Sequence, residues 1–415
     1  MSKYKDFDDD YEYEDEEDYE YEPVKKRKNT TEHGRQNEGY GNRSGTPDSG
    51  KKKKKKKKMK RSTMIVILVL ELILLAVLFF VWYVIGKMNM IHYTPIDRDV
   101  IQVNPDIDTN TREVLEGYTN ILLLGTDSRD NSQITDEKWV NHTDSIIVAS
   151  INNKTKDVKL MSIYRDTLLK MMDTVGGKEV RYDKATEAGW YYGIESTISM
   201  INTNLDLDIK DYVMVNWSAL SDIIDAVGGI DIEINETERY WLNDYLTETG
   251  PSTGHVFDFV HESGLVHLTG VQATSYCRIR YGGGDDYRRT ERQRLVITKV
   301  LEKAKNMDIS QLDKAINTIF KNVSTSLGVT QILDLAKDVT QYNIADSTGF
   351  PFDKYTDSNI VLHNNGSETR DMVIPVDLSN NVTQAHKFLF DVDGYVPTFT
   401  VQEIGNKISE LTGVR

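Results

Sequence analysis

One cysteine, Cys277, stands in a chain of 415 residues. That excludes an internal disulfide, so any exported domain is held together by core packing alone. The first 62 residues are almost without aliphatic side chains. They cannot bury enough apolar surface to fold alone, and residues 1–62 are expected to be a disordered tail. Basic charge is in deficit. The formal net charge is -15, and residues 87–415 hold 32 Lys and Arg against 49 Asp and Glu. Such a surface is a poor match for a phosphate backbone, and no nucleic-acid partner is expected. There is also no internal repeat, no Cys/His cluster at metal spacing, no P-loop, no dinucleotide fingerprint and no Gly-x-Ser-x-Gly elbow. The usual nucleotide and acyl-transfer sites are thereby removed.

What is present begins with charge blocks. An acid-and-tyrosine run, Asp6 to Glu22, opens the tail, and eight consecutive lysines, Lys51 to Lys58, close it. The lysine block suits anionic lipid headgroups. Residues 64–86 are then apolar except for Glu71, long enough to cross a hydrocarbon core of ~30 Å. A cleaved signal peptide is the competing reading, but the run is long and no small-residue cleavage site follows. The expectation is an uncleaved anchor in the cell membrane, N-terminus cytoplasmic by the positive-inside rule, with an extracellular C-terminal domain. A polar connector (87–118) would lead to that domain (119–415).

Against the acidic background, six arginines (Arg278, Arg280, Arg288, Arg289, Arg292 and Arg294) fall within seventeen positions. Guanidinium forks suit phosphate or carboxylate oxygens. A strand ending near Tyr281 would put Arg278 and Arg280 on one face and Cys277 and Ile279 on the other. After Gly282-Gly283-Gly284, a helix would make neighbours of Arg289 and Arg292. Two pairs could close on one anion; the alternative is a solvated basic face with surface ion pairs.

Upstream, residues 121–124, 145–151 and 158–163 read as strands with short connections, hence antiparallel neighbours. Up, down, up brings Asp127, Asp144 and Arg165-Asp166 to one rim. Paired carboxylates there allow a cation site, a general acid/base pair or ordinary turn aspartates. The nearby arginines favour the cation, because Mg²⁺ often takes only one or two protein carboxylates and completes its shell with water and phosphate oxygens. Residues 184–205 look helical, and 212–234 look like a β-α-β unit. Residues 236–261 suggest a lid, and Thr269 to Gln272 a helix capping box. Helices follow near 312–322 and 330–342, a strand near 371–374, and two last helices from about Val382 and Val401.

The motifs Asn120-Ile-Leu-Leu-Leu-Gly-Thr-Asp-Ser-Arg129, Thr143-Asp144-Ser145, Ser162-Ile-Tyr-Arg-Asp-Thr167, Asp225-Ala-Val-Gly-Gly-Ile-Asp231, Leu268-Thr-Gly-Val-Gln-Ala273, Arg278-Ile-Arg280 and Asp286-Tyr-Arg-Arg-Thr-Glu-Arg-Gln293 occur in that order. Over roughly Asn120 to Lys305 the chain resembles the LytR-CpsA-Psr proteins. The resemblance implies an α/β fold, an α/β/α layered domain with a mixed central sheet. It also implies transfer of an anionic glycopolymer (teichoic-acid or capsule type) from a polyprenyl-pyrophosphate carrier to peptidoglycan. Carried over by position, Asp127 and Asp144 are the metal pair for Mg²⁺ (or Mn²⁺). Arg165, Arg278, Arg280, Arg289 and Arg292 are the pyrophosphate clamp, supported by Asp166, Asp286 and Gln293. The lipid would lie in an apolar tunnel. Three positions depart from the family pattern: His142 for arginine, Tyr164 for proline and Arg288 for glycine. A non-catalytic wall-polymer binder, a membrane regulator of envelope genes and a pyrophosphate hydrolase are the competing functions.

Overall fold

The computed structural model describes residues 92–127, 142–177, 180–281, 285–362 and 369–415, with Leu75, Leu78 and Gly86 ahead of them. The expected tail, and the expected membrane span apart from those three positions, lie outside the described residues. Among the described residues no helix is long and apolar enough to cross a membrane.

The elements run β1 (His92–Tyr93), α1 (Thr109–Glu116), β2 (Tyr118–Thr126), β3 (Thr143–Asn152), β4 (Asp157–Ile163), β5 (Leu168–Met172), β6 (Val180–Lys184), α2 (Glu187–Tyr192) and α3 (Ile194–Leu205). Next come β7 (Asp211–Asn216), α4 (Trp217–Ala226), β8 (Ile230–Ile234), α5 (Glu236–Thr253), β9 (Gly264–Leu268), α6 (Gly270–Arg278) and α7 (Asp285–Lys305). Last are α8 (Ile309–Asn322), β10 (Ser324–Thr325), α9 (Val329–Lys337), β11 (Asn343–Phe350), β12 (Lys354–Val361), β13 (Thr369–Pro375), α10 (Leu378–Phe390) and α11 (Phe399–Thr412).

The central sheet is mixed, in the order β1-β10-β7-β2-β3-β4-β11. Strands β2, β3 and β4 are antiparallel neighbours as expected, while β7 lies parallel to β2 and β11 parallel to β4. Alternation along the strands splits their apolar residues between the two faces. Leu122, Leu124, Ile146, Val148, Met161 and Ile163 pack with α3, α10 and α11. Leu123, Ile147, Ala149 and Leu160 face Ile297 and Leu301 of α7 and Leu335 of α9. A separate core joins α4, α5, α6 and the two-stranded β8-β9 sheet.

Several expectations are corrected. Residues 275–278 are helical, not extended. In α6 the Gln272 side chain accepts from Thr269 N–H at 2.9 Å and Asp225 accepts from Gly270 N–H at 2.6 Å, which starts the helix. Gly270 to Cys277 are all buried, so no one-sided stripe betrayed the helix. The in-out alternation still holds at its end, where Cys277 and Ile279 are buried. A Cβ at Gly270 would sit 2.0 Å from the Ser221 carbonyl oxygen, so only glycine lets α6 approach α4 this closely. Strand β8 does not rejoin the main sheet through α4; it pairs with β9, because Ile230, Ile232 and Ile234 face the separate core. The supposed lid contains the helix α5, anchored by buried Leu242 and Leu246. Residues 184–205 divide into the end of β6, α2 and α3. Strand β11 carries no apolar pattern to read, half of its residues being exposed.

The connector is folded onto the body from His92 onward. Asn104 donates to Asp206 at 2.6 Å, and Asp206 also accepts from Tyr395 O–H (3.0 Å), Thr398 N–H (2.8 Å) and Thr398 O–H (2.7 Å). Asp206 is fully buried. Asp206→Ala would strand several buried donors, each costing ~1–3 kcal/mol. We expect a loss of at least about 3 kcal/mol in denaturant unfolding.

Candidate functional site

The up-down-up order of β2, β3 and β4 does bring Asp127, Asp144, Arg165 and Asp166 to one rim. The segment after α6 delivers Arg280 and Tyr281, and the first turns of α7 bring Asp286 and Arg289. Asp144 is the hub. Its Oδ1 accepts from Arg165 Nη1 at 2.6 Å, its Oδ2 lies 3.8 Å from Arg280 Nη2, and its backbone carbonyl accepts from Arg289 Nη2 at 2.9 Å. Asp286 braces the arginines from behind, 2.8 Å from Arg289 Nη2 and 3.8 Å from Arg165 Nε.

Burial and charge act in opposite directions here. Burial pushes the Asp144 carboxyl up, but Arg165, Arg289 and Arg280 outweigh it and hold the group below its ordinary value. Burial also dominates at Asp286, and here Arg289 and Arg165 do not offset it, so that carboxyl is raised. Burial would lower Arg165, but Asp144 and Asp166 raise it above its usual value. Arg289, 3% exposed, is lowered by burial, with Asp286 opposing and Arg280 reinforcing. Asp144 is thus a firmly ionised carboxylate among guanidiniums.

A cleft of ≈ 220 Å³ opens over this rim, walled by Asp127, Asp144, Arg278, Arg280 and Arg289, with Trp217, Tyr245 and Tyr281 completing it. A second cleft of ≈ 400 Å³ shares Asp127, Asp144 and Arg280 and adds Arg165, Asp166, His142 and Lys184. Lys184 was not anticipated; its Nζ contacts Asp166 at 2.9 Å. Nor were the three aromatic walls: Trp217 and Tyr245 lie far from the arginine segment in sequence, and Tyr281, inside it, is not marked by charge.

Not every expected clamp residue faces the cleft. Arg292 turns away: its Nε pairs with Glu238 at 3.1 Å, its Nη1 donates to the Ile279 carbonyl at 3.1 Å, and it sits over Tyr276. The helical spacing that makes Arg289 and Arg292 neighbours does not aim them at one point. Arg278 lines the cleft but is tied to Glu248 and Thr249. Gln293 lies below the rim, accepting from Ser145 O–H at 3.0 Å, while its buried amide nitrogen has no hydrogen-bond partner among the described residues. Cys277 is buried and its thiol pushed up to about 12 by burial, hence a small hydrophobe. Tyr164 fits without the expected proline: its ring packs edge-on to Tyr287 at 4.5 Å, and its hydroxyl occupies the space a Cβ at Gly349 would need. His142 stacks on Trp190 at 5.1 Å; Arg288 is exposed.

The donor set suits a hard divalent cation. Asp127 and Asp144 line the same two clefts. Among the described residues no three His, Cys, Asp or Glu side chains group as a complete cage.

Beneath the rim lies an apolar cavity of ≈ 210 Å³ between Leu123, Ile147, Val213 and Val215 of the sheet, Leu220 and Ile223 of α4, and Val296 and Val300 of α7. Trp217 walls both this cavity and the charged cleft.

Fold and site together define a class: an α/β domain with an acid-and-arginine cleft at one sheet rim and an apolar cavity beside it. The chain belongs to the LytR-CpsA-Psr family, whose model, described as the LytR_cpsA_psr family, matches residues 81–374. It is 32% identical over 214 residues to biofilm regulatory protein A of Streptococcus mutans, covering 51% of this chain and 50% of that one. It is 31% identical over 221 residues to the polyisoprenyl-teichoic acid–peptidoglycan teichoic acid transferase TagU of Bacillus cereus, covering 53% and 64%. The matched region thus spans half to just under two thirds of these relatives. The crystal structure of protein gbs0355 from Streptococcus agalactiae superposes with a TM-score of 0.53 at 25% identity, covering 68% of this chain and 91% of that one.

Proposed function

We propose that this protein transfers an anionic glycopolymer from a polyprenyl-pyrophosphate carrier to peptidoglycan outside the cell membrane. The supporting observation is the shared Trp217 wall, which sets a site for charged phosphates directly against a site for an apolar chain. The TagU relative is named for the same kind of reaction. Residues 64–86 anchor the chain, with the lysine block on cytoplasmic anionic headgroups.

Phosphoryl transfer asks a protein chiefly for positioning and charge neutralisation. Arg280 and Arg289 bind the diphosphate oxygens. Arg165, oriented by Asp144, Asp166 and Asp286, meets them from the second cleft, and Arg278 closes the aromatic side. Asp127 and Asp144 would hold Mg²⁺ (or Mn²⁺), which when bound supplies further neutralisation of the diphosphate. A peptidoglycan hydroxyl forms a bond to the sugar-proximal phosphorus as the bond from that phosphorus to the bridging oxygen breaks. Polyprenyl phosphate leaves and one proton is released.

The test is turnover of a polyprenyl-pyrophosphate glycolipid by the full chain in detergent, with and without peptidoglycan oligomer. Acceptor-dependent product is expected. Equal glycan phosphate release in both arms would indicate a hydrolase, and binding without turnover a non-catalytic role. Ile223→Phe, which narrows the apolar cavity, should raise the KM for long-chain glycolipid about tenfold, one displaced contact set being worth roughly 1.4 kcal/mol. Inorganic pyrophosphate should bind to that variant as to wild type.

A further inference from the structure

A row of aromatic rings leaves the charged cleft and runs along α5. Tyr245 and Tyr281 wall the cleft itself. The two rings lie 6.5 Å apart with their planes inclined by 30°. Tyr281 then meets Trp241 at 4.9 Å, and Trp241 meets Tyr240 at 5.1 Å. Trp241 and Tyr245 are four apart on one helix, so their side chains share a face, and Tyr281 comes from another element to sit against both. Tyr240 is 62% exposed and Tyr281 60%. Side chains this apolar are not left in water by core packing. Trp241 and Tyr245 are partly buried against the separate core, which fixes their rings in place.

The polar surroundings select the occupant. Tyr281 also walls a pocket of ≈ 300 Å³ that includes Asn235, Thr237, Glu238 and Arg288. Three of the four arginines flanking the row are matched by carboxylates on α5, while Arg288 is exposed. Arg239 pairs with Glu236, Arg278 with Glu248 and Arg292 with Glu238. The row therefore carries little net positive charge and does not favour an anionic polymer. Flat aromatic faces with hydroxyl, amide and carboxylate groups beside them fit the apolar faces and equatorial hydroxyls of pyranose rings.

We infer that the Tyr245-Tyr281-Trp241-Tyr240 row is a carbohydrate subsite that seats the neutral glycan strand of the acceptor and leads its hydroxyl into the cleft. The inference rests on the transfer reaction proposed above and adds where the acceptor lies. The rings stack on successive sugars, and the carboxylates of Glu236 and Glu238 and the Asn235 amide are within the same pocket to take up hydroxyls.

The test is calorimetry on the full chain in detergent micelles, with chitotetraose as the neutral glycan, poly(glycerol phosphate) as the anionic chain and inorganic pyrophosphate as the cleft probe. Chitotetraose should bind wild type, about tenfold more weakly to Trp241→Leu and about threefold more weakly to Tyr240→Ala, with Trp241→Phe restoring most of the loss. Tyr240 is exposed, so its variant guards against a folding artefact. Pyrophosphate affinity should be unchanged in all three. If chitotetraose does not bind wild type, or binds the variants equally, the subsite is refuted while pyrophosphate binding leaves the transfer reaction standing. Binding of poly(glycerol phosphate) that the Trp241 and Tyr240 variants lose would overturn the assignment to a neutral acceptor. Loss of pyrophosphate binding in wild type would instead strike at the reaction.

Discussion

Arg280→Ala is expected to lower kcat for glycolipid turnover by about 10²–10³-fold, the range for removing one preorganised charge-stabilising donor. Its unfolding midpoint should barely move. Arg280 is 41% exposed, walls both clefts, and among the described residues makes only a 3.8 Å ion pair, with Asp144. Substitutions at such positions shift stability by within about 0.5 kcal/mol. Arg289→Ala would not separate the two effects, because Arg289 is buried and braced by Asp286 and the Asp144 carbonyl. Arg280→Lys should recover only part of the loss, since a point charge replaces a fork of donors. Parallel turnover assays and thermal melts decide it. Unchanged turnover in Arg280→Ala would remove Arg280 from the phosphate site.

Asp144→Asn is expected to damage both turnover and stability. It leaves Arg165, a quarter exposed, without its 2.6 Å partner. Breaking a fully buried pair costs ~3–5 kcal/mol, and partial exposure reduces that to about 2–3 kcal/mol at neutral pH. The pH dependence has a definite sign. The Asp144 carboxyl is held below its ordinary value of 3.8 in the folded protein. Its contribution to stability is thus complete above that value and is lost as pH falls through the lowered folded value. The stability gap between wild type and Asp144→Asn should therefore stay constant from neutral pH to about pH 5 and close only in stronger acid. Asp286 runs the other way. Its raised carboxyl means that ionising it costs stability as pH rises through the folded value. Asp286→Asn should consequently gain less stability than wild type on mild acidification. Melting curves from pH 3 to 8 for the three proteins separate these contributions. A gap at Asp144 that shrank between pH 7 and 5 would show that its ionisation is not what the arginines hold in place.

Much of the rim was legible because it depends on local rules. Short connections force β2, β3 and β4 into antiparallel neighbours, and antiparallel order alone carries the residues at their ends to a common edge. Asp127, Asp144, Arg165 and Asp166 follow from that without knowledge of any other contact. The capping pattern at Thr269 to Gln272 likewise marked the start of α6 correctly. Of the arginine segment, the helix carrying Arg289 and Arg292 is as expected, while the stretch up to Arg278 is helical rather than extended, because α6 is buried on every side and its apolar residues show no face.

By itself the sequence determined the acidic residues and most of the arginines of the rim, the order of the three strands that carry them and the family, since these rest on residue identity, periodicity and motif order. Only the tertiary structure decided where the arginines point. Arg289 and Arg292 share a helix, yet one turns to Asp144 and the other to Glu238, because α5 supplies a carboxylate from 54 residues away. The apolar cavity and the aromatic row have the same origin. Each is assembled from side chains on several elements, and no linear pattern records which faces of those elements will meet.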